Sequence, residues 1–194
     1  MPSGLVKATW GLRDYPEMTW RGCTIHAIDF GRYEDNRVRI LDDGTVDTEF
    51  DDLDDTAHWH FMTLDVDYIV GRSEPEAPGW ASKFWIAPAT LSFSAPEGIE
   101  VMISDGPSDL VPVAPGMTTI ALVISDLQRI KSKHEYDSDP QWRITGEGFA
   151  MSVWSGNFWL NIRAEPRLVE RPSLDLVERG GVSFGQIPFD YRSS

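Results

Sequence analysis

His58, Trp59 and His60 place two imidazoles two residues apart. On a β-strand that spacing puts both rings on one face, close enough to share a metal ion. Carboxylates stand just upstream at Glu49, Asp51, Asp52, Asp54 and Asp55. Two histidines and one acid would make a three-ligand site with an open coordination position, as in a metal-dependent enzyme. No fixed spacing ties any one acid to the pair, so local hydrogen bonding at a strand mouth is the favoured account of His58 and His60. The expectation is that no metal and no other cofactor is held.

Residues 47–55 contain six acids: Asp47, Glu49, Asp51, Asp52, Asp54 and Asp55. The calcium-loop pattern D-x-[DN]-x-[DN]-G is absent. Like charges this dense repel one another and stay solvated, which makes the run an exposed loop or a docking surface for a basic partner. Asp65 and Asp67 share one strand face, about 7 Å apart by strand rise. Such a pair does acid–base work only where one member is desolvated, and nothing local supplies that burial, so both are expected to face water.

Gly181-Val182-Ser183-Phe184-Gly185 matches G-x-S-x-G. A nucleophile elbow needs a strand before it, a helix after it and a later histidine, and the last nine residues contain none. Cys23 and His26 are three apart and so point to opposite faces of a strand, which excludes a nucleophile pair without a bend. Eight Trp residues could form a sugar-binding platform, although core and edge packing is the commoner use of such rings.

The elements that would position these residues are short strands. Residues 24–30 read as one, with His26, Ile28 and Phe30 on a shared face. Residues 37–41 and 45–50 flank Asp43-Gly44, a strong hairpin turn. Residues 58–70 form the longest strand candidate, with Met62, Leu64, Val66 and Tyr68 toward the core. Residues 83–87 make a strand stopped at Pro88, 89–94 another, and 98–104 a third with Ile99, Val101 and Ile103 inward. Residues 105–115 read as loop, and the apolar run 117–124 as a buried strand. Ser125-Asp126-Leu127-Gln128 resembles a capping box, so a helical turn or two is expected to about residue 131. After strand 141–145, segments 149–153 and 158–162 present matched apolar faces around Ser155-Gly156, which predicts a hairpin pairing Met151 with Leu160. Residues 167–171 form another short segment, and a helical turn is expected around 174–179 before Gly180-Gly181.

Nine or ten strands with frequent turn signals predict a mainly β, antiparallel sandwich or partly closed barrel with one or two short helices, a single domain over residues 1–194. A net charge of −14 repels phosphate backbones and anionic membrane surfaces. Nucleic acid and membrane are therefore not expected partners. A single cysteine fits a cytoplasmic setting, and neither a signal peptide nor a long apolar span is visible.

The blocks LDVDYI (64–69), FWIAPATLSF (84–93) and ISDLQRI (124–130), with the pattern of residues 142–162 behind them, resemble a widespread family of uncharacterised bacterial proteins of similar length. The likeness covers residues 55–163 and implies no reaction, ligand or site residue.

With no convincing catalytic set, the leading expectation is a non-enzymatic acidic protein that docks a basic partner, for example a bacterial immunity protein against a toxin. The competing expectations are a metal-dependent enzyme on His58 and His60, and a small-molecule or sugar-binding β-domain. Elemental analysis of the purified protein separates them first. Less than stoichiometric zinc, nickel or manganese is expected; about one ion per chain, lost in His58→Ala, would establish the metal site instead.

Overall fold

The computed structural model describes residues 5–31, 39–40, 46–47, 61–75, 77, 80–96, 98–103, 111–114, 117–130 and 141–188. In chain order these form β1 (Thr9–Gly11), a 3-10 turn (Tyr15–Glu17), β2 (Thr24–Gly31), β3 (Arg39–Ile40), β4 (Val46–Asp47), β5 (Phe61–Arg72) and β6 (Phe84–Ser94). There follow β7 (Gly98–Ile103), β8 (Val111–Ala114), β9 (Met117–Ile130), β10 (Gln141–Gly146), β11 (Phe149–Trp154), β12 (Asn157–Ile162) and β13 (Arg167–Val169). Every described pairing is antiparallel.

Eleven strands join in the order β1-β12-β6-β5-β2-β9-β10-β11-β7, with β13 also on β6 and β8 also on β9; β3 and β4 pair separately. The sheet ends at β1 and β7 without closing on itself among the described residues. It is a mainly antiparallel β architecture, a sandwich made by one sheet folding over. The fold line runs through β9. Its first half pairs with β2 up to Val123, and its second half pairs with β10 from Ile124 onward. One layer is thus β1-β12-β6-β5-β2 with the start of β9, and the other is the end of β9 with β10, β11 and β7.

The two inner faces meet in one apolar cluster that includes Met62, Leu64, Val66, Leu91, Phe93, Phe158 and Leu160 from the first layer and Ile144, Met151 and Val153 from the second. Trp142 on β10 stacks on Phe158 of β12 at 4.8 Å between centroids and lies 5.9 Å from Phe93 on β6. Full burial of such side chains contributes about 1.5–3 kcal/mol each.

The hairpin predicted for residues 149–153 and 158–162 does not form. β11 pairs with β10 and β7, whereas β12 pairs with β6 and β1. Ser155-Gly156 carries the chain from one layer to the other. The Ser155 hydroxyl donates to Ser94 O (2.7 Å) and Trp142 Nε1 donates to Ser155 O (2.9 Å), which fixes the crossing. The apolar faces of β11 and β12 do match, because they look at each other across the core. The link from β6 to β7 crosses beside it: Ser94 pairs with Asn157 in one layer and Gly98 with Trp154 in the other.

Four further expectations are corrected. Residues 125–130 continue β9 rather than opening a helix, since Ile124 and Leu127 bury against the core while six residue pairs bind the strand to β10. Pro88 does not stop its strand. Arg163 N donates to Pro88 O (2.9 Å), so the missing proline N–H points to the joint between β12 and β13, where the ladder does not require it. Val101 and Ile103 are each 39% exposed instead of core, because β7 is the last strand of its layer among the described residues. Residues 105–115, read as loop, include β8.

Where β9 passes between layers, the partner strand must come close. A Cβ on Gly146 would sit 2.2 Å from Val123 O and 2.0 Å from the Phe149 ring. Gly146→Ala is therefore expected to cost about 1–3 kcal/mol in denaturant unfolding. Gly11→Ala on edge strand β1, where nothing lies within 4 Å of an added Cβ, is the control, expected to be neutral or stabilising by up to about 1 kcal/mol. Equal midpoints for the two variants would remove the close-approach account of β9.

Candidate functional site

Of the residues the sequence singles out as partner-binding, Asp47 lies on β4 opposite Arg39 of β3 in register. Glu49, Asp51, Asp52, Asp54 and Asp55 lie outside the described residues, as do the metal candidates His58 and His60 and the turn Asp43-Gly44. Among the described residues no group of three or more His, Cys, Asp and Glu side chains could hold a metal ion.

The constellation that the structure does assemble is built on Asp65 and Asp67. They stand on the face of β5 opposite the core, and neither meets solvent. This corrects the expectation that both face water. Register places Thr90 of β6 beside Asp65 and Thr24 of β2 beside Asp67. Thr63, Ser92 and Asn161 continue the same polar, buried face. Thr63 and Ser92, opposite one another, keep buried hydroxyls without hydrogen-bond partners among the described residues.

The cover is the irregular segment after β13. Asp175 and Glu178 form a reciprocal capping box: Glu178 N donates to Asp175 Oδ1 (2.8 Å), and Asp175 N donates to Glu178 Oε2 (2.9 Å). The single helical turn that follows ends at Gly180, φ +79°, with Gly181 N bonded to Leu176 O (2.7 Å) and Gly180 N to Val177 O (3.2 Å). That double bond is a helix stop requiring a left-handed residue, which glycine supplies without strain. Between the two caps stands Arg179, its side chain fully buried.

Arg179 donates Nη1 to Asp65 Oδ2 (2.5 Å), Nη2 to Asp65 Oδ1 (2.7 Å) and Nε to Asp67 Oδ1 (3.2 Å). Arg163, just past β12, adds Nη2 to Asp65 and Nη1 to Ser183 O (2.5 Å). Ser183 N donates to Asp65 Oδ2 (3.2 Å), and Leu174 N to Asp67 Oδ2 (2.7 Å). Thr90 Oγ1 donates to Gly185 O (2.7 Å), extending the attachment. Burial lowers the pKa of Arg163 from the usual arginine value, against the opposing pull of Asp65.

His26 completes the set with Nε2 2.9 Å from Asp67 Oδ2. It reaches there because β2 shifts register between Ile25 and Ala27, leaving His26 as the extra residue of a bulge. The bulge also corrects the expected shared face: Ile25 and Ile28 go to the core while His26 turns to the carboxylates. Cys23, buried at the start of β2, accepts from Ile69 N at 3.4 Å, and burial pushes its thiol up to about 12. That thiol is inert packing rather than a nucleophile.

The two carboxylates are close to saturated, although Arg163 Nε is buried without a hydrogen-bond partner among the described residues. A carboxylate offers about four acceptor sites; Asp65 receives four donors and Asp67 three. Little capacity remains to take a proton from a substrate or to bind a cation. Ser183 of the G-x-S-x-G match lies in the covering segment with its main chain engaged, and no strand–turn–helix surrounds it. The arrangement is a fastening between the sheet and the C-terminal segment. Sequence reasoning missed Arg163 and Arg179. The local signal for Arg179 was present, in the D-x-x-E box before it and Gly180-Gly181 after it.

No family model, no curated protein and no solved structure matches the chain.

Removing Arg179 leaves two carboxylates buried without their main counter-charge. Arg179→Met is expected to cost about 3–5 kcal/mol of unfolding free energy. Limited proteolysis of that variant should cut first within residues 170–188. A shift below about 0.5 kcal/mol with unchanged protease resistance would show that the segment is held by other contacts.

Proposed function

We propose that the chain is a non-enzymatic interaction protein that docks a basic partner through an acidic surface. The observation that carries this reading is the electrical neutrality of the buried cluster. Asp65 and Asp67 are matched by Arg163 and Arg179, so the whole net charge of −14 is carried by groups elsewhere in the chain. The acids of residues 47–55 are the densest part of that excess. A field of one sign speeds encounter with a cationic surface and rejects anionic partners, which sets nucleic acid and membrane surfaces aside. The saturation of Asp65 and Asp67 supports the same reading, because it withdraws the carboxylate pair best placed for acid–base work.

A cytoplasmic bacterial immunity protein bound to a cationic toxin is one form this function takes, in keeping with the single cysteine and with the family resemblance of residues 55–163. Among the described residues no helix is long and apolar enough to cross a membrane.

The test compares wild type with a variant carrying Asp51, Asp52, Asp54 and Asp55→Asn, in affinity capture followed by association kinetics. Wild type should retain a basic protein at about 50 mM salt and release it near 500 mM. The variant should fold with equal or slightly higher stability, associate more slowly and lose most of the salt dependence. Identical association rates for the two proteins at low salt would exclude the acidic run as the docking surface.

A further inference from the structure

Strand β7 ends the sheet, and among the described residues its only neighbour is β11. Its register with β11 is unbroken over six residue pairs, from Gly98–Trp154 to Ile103–Phe149. The strand contains no proline, no lysine and no bulge to blunt that edge, and its single charge is Glu100. Its side chains are unusually bare for their type. Met102 is 63% exposed, and Val101 and Ile103 are 39% exposed. Val101 pairs with buried Met151 and Ile103 with buried Phe149, so the apolar inner face of this layer runs out into solvent at β7.

We propose that the edge of β7, unpaired among the described residues, takes up one extended, basic segment of a protein partner as an added antiparallel strand. The main-chain groups on that side of β7 supply the ladder, and alternate side chains supply the selection. Inward residues of the incoming strand are apolar, lying beside Ile99, Val101 and Ile103. Outward residues are lysine or arginine, lying beside Glu100, which is exposed in the middle of the edge. Glu147 is exposed in the turn at the Ile103 end of the strand, between β10 and β11. Arg143 lies two strands further in along the Glu100 row, behind Ser152. Charge decides the occupant. A second copy brings another −14 to the same edge, whereas a cationic strand is drawn to it. The inference rests on the basic-partner reading above and names the surface and the mode of contact.

The probe is a synthetic peptide of alternating lysine and valine, titrated onto the full chain with amide hydrogen exchange as readout. Two controls accompany it: the same peptide N-methylated along one edge, and a peptide of alternating glutamate and valine. At low salt the lysine peptide should bind and slow exchange at residues 98–103. The N-methylated peptide, with the same charge and no ladder donors on that edge, should not. Glu100→Lys should weaken the lysine peptide about fivefold while leaving the thermal midpoint unchanged. If the N-methylated peptide binds as tightly, contact is by charge alone and the added strand is excluded, while the basic-partner reading stands. If the glutamate peptide binds as tightly, the charge argument fails for both. Protection of β7 that grows with protein concentration and with salt, without peptide, would assign the edge to a second copy and overturn the proposal. Met102→Pro, which alters the edge without changing charge, should weaken the lysine peptide, and unaltered binding to a folded Met102→Pro chain would also overturn it.

Discussion

Arg179 presents three nitrogens to Asp65 and Asp67, and neither carboxylate meets water. Charges taken out of solvent cost several kcal/mol each unless their hydrogen-bonding capacity is met. That condition constrains the surrounding elements. β5 has to offer both acids on one face, β2 has to bulge to bring His26 to Asp67, and the chain after β12 has to return with two guanidiniums and two backbone amides. The capping box and the glycine stop around Arg179 stiffen the turn that delivers it, so less conformational entropy is lost when the cluster closes. A layer that is apolar on its inner face and polar on its outer one is in this way covered on both.

The second organising feature is the fold line. β9 belongs to both layers, and two adjacent links, at Ser94–Gly98 and Trp154–Asn157, recross between them. Trp142 joins these features, stacking on Phe158 from one layer while its indole N–H holds the Ser155 corner. Hydrophobic burial supplies the driving force for closing the layers, but the close approach at Gly146 and the hydrogen bonds at Ser155 decide where they hinge.

Neutral inside and acidic outside, the molecule separates two uses of charge. Asp65 and Asp67 are spent on holding the C-terminal segment, and the remaining excess stays available to the surroundings. Among the described residues β7, with β11 as its one neighbour, adds an apolar edge strand to that acidic exterior.

Period-two alternation by itself determined that residues 62–68, 89–93, 141–145, 149–153 and 158–162 are strands, that the class is antiparallel β, and that Met62, Leu64, Leu91, Met151 and Leu160 are core. Composition determined the net charge and the lack of any internal disulfide. Alternation does not say which strand lies beside which: β11 and β12 have the same pattern whether they pair in one sheet or face each other across a core, and only the tertiary structure placed them in opposite layers. It does not report a bulge either, so the direction of His26 was illegible. The capping-box residues Ser125 and Gln128 were overruled because Ile124 and Leu127 bury more apolar surface in a strand that bridges two layers. The burial of Asp65 and Asp67 was decided by the same long-range term. Their partner Arg179 lies more than a hundred residues away in the chain, and the free energy of a buried charge depends on what the fold brings to it rather than on its neighbours in sequence.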